Sequence, residues 1–218
     1  MENVTDRTSN PFGMRPPCEA SCSTDVPAVF GYGDANADFH VIGDHPGVHG
    51  GRETGVPFTG PDASPAIRRV LSEVGFADDP GDVPELENCF LSYLHMCCPP
   101  DGRDPAPEEY HDLEPFFDAE LRAIAAHVLL PVGPRATEHV IEEYTARASK
   151  LEIDMAALHA TEIRGSGFLV VPVRDPSEWT GNDADQLVER LRSIRARDYR
   201  ETADLSRFLG TDELYYVR

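Results

Sequence analysis

The sequence predicts an α/β fold of three layers, in which a mostly parallel four-stranded central sheet has helices on both faces. Short apolar runs with the pattern of buried strands alternate along the chain with longer amphipathic segments of helical period. Strands that alternate with helices in this way form parallel sheets with a helical layer on each side. The 218-residue chain is long enough for one such core, and its length requires no second domain.

Four apolar runs predict the strands of this sheet. Each run is rich in β-branched, aromatic or other apolar residues and is followed by a turn: Asp38–Gly43, Asn88–Leu94, Val128–Val132 and Phe168–Val173. In doubly wound sheets, ligands bind at the carboxyl ends of the strands. The loops that follow these runs are therefore where we expect a functional site.

Helices are predicted between the strands. Ser64 is suited to cap a helix that has Pro65 in its first turn and ends before Gly75. A longer helix is predicted from Pro107 to His127, because its apolar residues recur at helical spacing. Further helices are predicted after the Gly133–Thr137 turn and over about residues 183–197.

The two ends of the chain are predicted to lie outside the domain. Residues 1–26 are polar and Pro-rich and are expected to form an arm or a metal-binding loop, followed by the domain at 27–200 and a tail at 201–218. The amino-terminal segment lacks the apolar stretch of a secretory signal, and no apolar run reaches the ~20 residues of a membrane span. We therefore expect a cytoplasmic monomer without a membrane partner.

The charge composition is strongly acidic. The formal net charge is -20, from 39 acidic and 19 basic residues, and Lys150 is the single lysine. We interpret this composition as an adaptation to high salt, with an ordinary acidic protein as the alternative. The negative charge disfavours binding to phosphates. In molar salt, however, the counterion-release part of DNA affinity is small for any protein, so local arginines and base contacts would carry the affinity.

Several loops carry a resemblance to a known family. The strand that leads into Gly43-Asp-His-Pro-Gly47, followed by Gly55-Val-Pro-Phe-Thr-Gly60, resembles the iron-sulfur (family 4) branch of the uracil-DNA glycosylase superfamily. Further segments follow the family order at matching intervals: Val29–Gly33, Leu91–Pro100, Pro105–Glu109 and Val128–Ala136. The resemblance covers most of residues 18–200.

The resemblance implies a fold and a reaction. The family fold is a parallel four-stranded sheet flanked by helices, with a DNA groove across the strand ends, and it agrees with the fold predicted above. The implied reaction is hydrolysis of the bond between uracil and deoxyribose, with the base flipped into a pocket. Such a pocket needs a stacking face, hydrogen bonds to the base edge and a well-placed water. The expected partner is DNA that contains uracil or another damaged base.

The resemblance also assigns roles in the first two loops. Phe58 matches the aromatic residue that stacks on uracil, although a phenylalanine that only fills the core is the alternative. Asp44 replaces the usual glutamate and could position water. His45 could act as a general base or hold water, or it could be a loop histidine bonded to backbone. The remaining residues of this loop that we expect to contact the substrate are Gly43, Pro46 and Gly47.

One departure from the family concerns recognition of the base. Tyr93 stands where the family has the asparagine that reads the uracil edge. Tyrosine lacks the paired donor and acceptor of an amide, and its ring could close the pocket. The resemblance therefore leaves specificity for uracil open.

A second departure concerns the last motif, which is H-P-S in the family and Asp175-Pro-Ser177 here. An ionised Asp175 would repel a departing uracil anion, and loss of one such electrostatic donor costs on the order of 100-fold to 1000-fold in rate. Arg174 could restore the positive charge, or Arg174 and Asp175 could form an ordinary loop ion pair. Pro176 and Ser177, with Trp179, could form a wedge that presses into DNA.

The cysteines match the cluster ligands of family 4 only in part. The resemblance implies four cysteine ligands to an iron-sulfur cluster, and three positions match: Cys18, Cys22 and Cys97. Leu113 occupies the fourth position, and three cysteines alone would make a labile cluster. His111 or Cys98 could complete the ligand set, while a buried free cysteine is the alternative for Cys98.

These observations leave competing functions. The first is a DNA glycosylase that acts on uracil or a related damaged base. The second is a catalytically impaired relative that binds nucleic acid or another partner without cleavage. The substitutions at Tyr93 and Asp175 favour the second, and the retained loops at Gly43–Gly47 and Gly55–Gly60 favour the first. A structural or metal-sensing role for the amino-terminal cysteines is a third.

Overall fold

The structure is a computed structural model that describes residues 3–7, 10, 12–18, 28–99, 103–146, 151–165 and 167–200. The chain divides into two compact units, Met1–Ala126 and His127–Arg218. The domain boundaries predicted after residues 26 and 200 stay predictions, because residues 19–27 and 201–218 lie outside the described ranges. Among the described residues, no helix is both long and apolar enough to cross a bilayer.

The first unit contains three strands and three helices. They are β1 (Tyr32–Gly33), β2 (Phe39–Gly43), α1 (Pro46–His49), α2 (Pro65–Val74), β3 (Cys89–Tyr93) and α3 (Pro107–Ile124). β3 pairs in parallel with β2, in register from Phe39 opposite Cys89 to Gly43 opposite Tyr93. β1 pairs with the other edge of β3 and is antiparallel to it.

The second unit also combines strands with helices. Its elements are β4 (Val128–Pro131), α4 (Pro134–Tyr144), α5 (Met155–Leu158), β5 (Ile163–Arg164), β6 (Leu169–Val170), a 3-10 turn (Pro176–Glu178) and α6 (Asp183–Arg195). β4 and β6 are parallel, whereas β5 and β6 are antiparallel.

These elements confirm the α/β class and correct the strand count. The four predicted strands are present as β2, β3, β4 and β6, with parallel pairing in both units. β1 and β5 add two antiparallel strands, so the strands of the described residues number six and the pairing is mixed. Each added strand has two residues, which is too short to produce a recognisable alternation in the sequence.

The first unit is layered as the sequence predicts. All five residues of β2 are buried, and neighbouring residues of a strand point to opposite faces. Phe39 packs against Phe76, just beyond α2, at a ring-centroid distance of 4.7 Å. His40, on the opposite face, packs against Phe117 of α3 at 6.4 Å. Helices therefore cover both faces of the strand.

Local capping explains the predicted ends of α2 and the predicted start of α3, whereas α3 ends at Ile124, before the predicted His127, because Ala125 adopts the left-handed conformation. The Ser64 side chain accepts a hydrogen bond from the Ala66 N–H, and Gly75 ends α2 in the left-handed conformation with φ of 81°. At the start of α3, the Glu109 carboxylate accepts hydrogen bonds from the Ala106 N–H and from Arg103. The Arg103 guanidinium, followed by the Ala106 N–H, lowers the pKa of Glu109 to about 2.

Three polar side chains are enclosed between the sheet and α3. His40 Nε2 and Ser92 Oγ are 2.7 Å apart, and both residues and Glu120 are fully buried. Burial raises the pKa of Glu120 to about 8, and the Gly31 N–H and the Ser92 hydroxyl beside the carboxyl offset part of this shift. Neither carboxyl oxygen reaches a described partner with full hydrogen-bond geometry. Burial also lowers the pKa of His40 to about 3, so both side chains are neutral near pH 7.

The raised pKa of Glu120 predicts a pH-dependent stability. Because the folded protein holds this proton up to about pH 8 and the unfolded chain releases it near pH 4.5, stability falls as pH rises between these values. A glutamine at position 120 stays neutral at every pH. We expect Glu120→Gln to raise Tm relative to the wild type at pH 8 and to have little effect at pH 5.

Thermal unfolding of both proteins across pH 4.5–8.5 checks this expectation, with exposed Glu138→Gln as the control. An equal Tm difference at pH 5 and pH 8 would contradict it.

Candidate active site

The loop after β2 is joined by backbone hydrogen bonds to the segment after β3. The Leu94 N–H donates to the Gly43 carbonyl, and the His95 N–H donates to the Asp44 carbonyl, each at 3.0 Å. The Asp44 N–H in turn donates to Nδ1 of His49 at 3.1 Å. The parallel register therefore continues beyond the strands and fixes the backbone of Asp44.

The Asp44 carboxylate is oriented by a residue that the sequence analysis missed. Asp44 is half-buried, and its Oδ1 accepts a hydrogen bond from the hydroxyl of Tyr110, on the first turn of α3. The Tyr110 ring packs against His95 at 5.3 Å. The strands alone could not have identified Tyr110, because this contact depends on where α3 crosses the strand ends.

His95 is a second missed residue beside this carboxylate. Its Nδ1 lies 3.0 Å from the Cys97 carbonyl. A carbonyl only accepts, so Nδ1 carries the proton and Nε2 is the acceptor nitrogen. Burial lowers the pKa of His95, although its contact with the Cys97 carbonyl acts in the opposite direction. The ring is therefore neutral near pH 7 and packs Tyr110 in place.

His45 has the geometry of a helix-capping residue. Its side chain is 2% exposed, and Nδ1 accepts a hydrogen bond from the Gly47 N–H at 3.0 Å. The proton of the neutral ring is therefore on Nε2, which lies 3.6 Å from Oδ1 of Asp104. Burial lowers the pKa of His45 below the ordinary value of a histidine. A general-base role stays a prediction, and it requires Nδ1 to release the Gly47 N–H.

Phe58, Tyr93 and His49 form an aromatic cluster next to Gly43. The ring centroid of Phe58 lies 5.3 Å from the ring centroids of both His49 and Tyr93, and the Tyr93 ring is stacked on His49 at a centroid distance of 6.3 Å. A Cβ on Gly43 would lie 2.7 Å from the Tyr93 ring and 2.8 Å from the Phe58 ring. Position 43 therefore has to be glycine for these rings to pack here.

The partners of the Tyr93 hydroxyl among the described residues are backbone groups. The hydroxyl accepts from the Phe58 N–H at 2.7 Å and lies 3.0 and 3.1 Å from the carbonyls of His49 and Gly50. The first of these bonds supports Phe58 in the left-handed conformation, at φ of 63°, which is strained for an aromatic residue. Burial raises the pKa of Tyr93, so the hydroxyl keeps its proton.

The last predicted motif lies in the second unit and forms a compact turn. Asp175 caps the 3-10 turn by accepting from the backbone N–H and the hydroxyl of Ser177. The Arg174 guanidinium lies 3.4 Å from Glu178 and 3.6 Å from Asp183. Pro176 is buried at the start of the turn. Arg174 thus pairs with carboxylates other than Asp175.

His159 supports this turn and was also missed. Its Nδ1 accepts from the Arg174 N–H at 3.1 Å, and its Nε2 donates to the Asp183 carbonyl at 2.9 Å. The Trp179 indole N–H donates to the Arg174 carbonyl at 2.7 Å, and the indole ring meets His159 edge-on. Both ring nitrogens of His159 are therefore used to hold backbone.

The cysteines do not fit a four-cysteine cluster. Cys18 and Cys97 form a disulfide with a Cα–Cα distance of 5.3 Å, and Cys22 lies outside the described residues. Leu113, at the fourth ligand position, is 2% exposed and packs in an apolar cluster with Cys97, Cys18 and neighbouring hydrophobic residues. In the described part of the chain, no three His, Cys, Asp or Glu side chains are grouped to hold a metal ion.

The two residues that could have completed the ligand set are placed differently. His111 has a side chain that is 84% exposed and lies 3.3 Å from Glu114. Cys98 is a buried thiol outside the disulfide. Neither residue belongs to a group of metal-binding side chains among the residues described.

Comparison with known proteins agrees with this architecture. A family model described as the uracil DNA glycosylase superfamily matches residues 30–194. A type-4 uracil-DNA glycosylase of Saccharolobus solfataricus is 24% identical over 178 residues, which cover 81% of this chain and 75% of that protein. A type-5 uracil-DNA glycosylase of Pyrobaculum aerophilum is 26% identical over 171 residues, covering 76% and 73%.

A third relative has higher identity over a shorter region. A type-5 uracil-DNA glycosylase of Thermus thermophilus is 30% identical over 126 residues, which cover 56% of this chain and 57% of that protein. The relatives thus include both type-4 and type-5 proteins. Because the family model matches well over half of its residues, the chain belongs to the uracil-DNA glycosylase superfamily.

Proposed function

We propose that this chain is a DNA glycosylase that hydrolyses the N-glycosidic bond of uracil, or of a related damaged base, in DNA. The observation that carries the proposal is the Asp44 carboxylate, which the Tyr110 hydroxyl orients at the carboxyl end of β2. Two relatives that match 81% and 76% of this chain are named uracil-DNA glycosylases, which supports the same reaction class.

Asp44 would act on water and on the sugar. Cleavage of the glycosidic bond develops positive charge on deoxyribose, and a fixed carboxylate stabilises that charge. An ionised carboxylate has about four acceptor positions, so it can hold a water beside the Tyr110 hydroxyl. The same water could then attack the sugar carbon as the base leaves with the electron pair of the C–N bond, and the Asp44 carboxylate would accept the proton that the water loses. Tyr110 would position this carboxylate without touching the substrate.

The charge of the departing base would need another source of stabilisation. Asp175 is committed to its capping contacts with Ser177, and the Arg174 guanidinium is shared between Glu178 and Asp183. We propose that exposed Ser177 and half-buried Trp179 contact DNA and that Arg174 organises their turn, whereas the buried position of Pro176 does not fit the wedge predicted for it. In this proposal, the departing base contacts the aromatic cluster around Phe58, which is buried in this structure and has to open to admit a base.

A second candidate is a relative that binds nucleic acid without cleaving it. Two observations favour it: the Phe58 ring is 1% exposed, and the positive charge of Arg174 is balanced by carboxylates. This candidate predicts binding to DNA without release of base by any variant.

Substitution of Asp44 tests the reaction. We expect the wild type to release uracil from a single-stranded oligonucleotide in single-turnover assays in molar KCl. Asp44→Asn removes the negative charge that stabilises the sugar cation, so it should slow release by ~100-fold or more. Asp62→Asn, at an exposed loop position, is the matched control and should keep the wild-type rate.

No release by the wild type in any salt, with retained binding to the oligonucleotide, would refute the glycosylase and leave the non-cleaving relative. Equal rates for wild type and Asp44→Asn would remove Asp44 from the mechanism.

Tyr110 gives an independent expectation. Tyr110→Phe keeps the ring that packs on His95 and loses the hydroxyl that binds Asp44. We expect kcat to fall ~10-fold with KM unchanged, because one hydrogen bond to the catalytic carboxylate is lost. Steady-state assays on the same oligonucleotide measure both constants. Tyr144→Phe, in the second unit, is the control, and a rise in KM alone would argue against a positioning role.

The disulfide predicts a protein free of iron. Because Cys18 is bonded to Cys97 and Leu113 fills the fourth ligand position, we propose no catalytic step through an iron-sulfur cluster. Protein purified without oxygen should contain no stoichiometric iron by elemental analysis and should show no absorbance band at about 400 nm. Alkylation should modify Cys18 and Cys97 only after reduction. Stoichiometric iron that is lost in Cys97→Ser would show that these cysteines bind a cluster instead.

A further inference from the structure

The base pocket implied by the proposed function is occupied by the chain itself. A base that stacks on Phe58 needs one face of that ring to be open. Phe58 is 1% exposed and Tyr93 is fully buried, so neither ring borders solvent. The Tyr93 ring lies against Phe58 at 5.3 Å with an interplanar angle of 55°. A base therefore reaches this face of Phe58 only after Tyr93 has moved.

The Tyr93 hydroxyl already has three backbone neighbours within hydrogen-bond distance. It has one hydrogen to donate, and the His49 and Gly50 carbonyls both lie within 3.1 Å of its oxygen. The same oxygen accepts from the Phe58 N–H. Any contact with a base edge would replace one of these backbone bonds and leave a buried group unsatisfied.

The surroundings stabilise this closed arrangement. His49 stacks on Tyr93 at 6.3 Å, and the missing side chain of Gly43 provides the space that the two rings fill. Withdrawal of Tyr93 would also break the hydrogen bond that supports the left-handed Phe58. Ring packing and the backbone bonds therefore oppose opening together.

We propose that Tyr93 is the specificity-determining residue of this site and that its ring restricts the entry of pyrimidine bases. The inference rests on the proposed function, because it takes Phe58 as the stacking face. It adds that the Tyr93 ring slows the release of uracil by the wild-type chain because it fills the space beside Phe58, whereas an amide at position 93 would admit uracil more readily. Asparagine is much smaller than tyrosine, and it offers the donor and acceptor that the edge of uracil matches.

Two substitutions separate the ring from the hydroxyl. Tyr93→Asn removes the ring and supplies an amide, so uracil release in single-turnover assays should rise at least ~10-fold over the wild type. Tyr93→Phe keeps the ring and removes only the hydroxyl, so its rate of uracil release should not rise above that of the wild type. Tyr93→Gln is a larger amide variant that leaves less empty volume, and it replaces Tyr93→Asn if that variant does not fold.

Free uracil provides a second readout that needs no catalysis. We expect millimolar uracil to raise the Tm of the folded amide variant and to leave that of the wild type unchanged, because only the variant has space on Phe58. Binding of free uracil by the wild type would overturn the proposal. The proposal would also be overturned by an amide variant that folds but neither binds free uracil nor exceeds the wild-type rate of uracil release.

The outcomes for Tyr93 and for the glycosylase can be told apart. If the amide variant binds free uracil but neither the wild type nor any variant releases base, the role of Tyr93 is supported and the glycosylase is refuted. Release by the wild type at the rate of the amide variant would support the glycosylase and refute the role of Tyr93.

Discussion

The parallel pairing of β2 with β3 is the constraint on which the candidate site depends. Its hydrogen bonds continue past the last paired residues, from Leu94 to Gly43 and from His95 to Asp44. Because parallel strands end at the same edge of the sheet, Asp44, which follows β2, lies close to Tyr93, which ends β3. A shift of register by one residue would turn Tyr93 to the opposite face of the strand and separate it from Phe58.

The sequence predicted the features that have a period or a local signal. The buried strands and the Ser64 cap of α2 are found where their patterns indicate, because burial and capping act over a few neighbouring residues. The strands β1 and β5 were missed because two residues carry no period. The fold class was predictable for the same reason, since it follows from the order of elements and needs no side-chain detail.

The site was predictable only in part. The positions of Asp44 and Phe58 follow from loops that have their own sequence pattern, whereas Tyr110 and His95 contact Asp44 through tertiary packing. No local signal shows that a tyrosine on a helix donates to a carboxylate 66 residues away in sequence. The hydrogen-bond partners of the Tyr93 hydroxyl could not be predicted from the sequence either, because they are backbone groups of another segment of the chain.

The disulfide between Cys18 and Cys97 also changes the unfolded chain. It joins residues 79 positions apart, and the enclosed segment contains all three strands of the first unit. In the chain-entropy model, closing a loop of this length lowers the free energy of folding by about 4.5 kcal/mol at 25 °C. The oxidised chain therefore begins folding with its strand segments already confined to a smaller volume, which shortens the search for non-local pairing. Reduction would lengthen that search, although neither cysteine belongs to the aromatic cluster of Phe58, Tyr93 and His49.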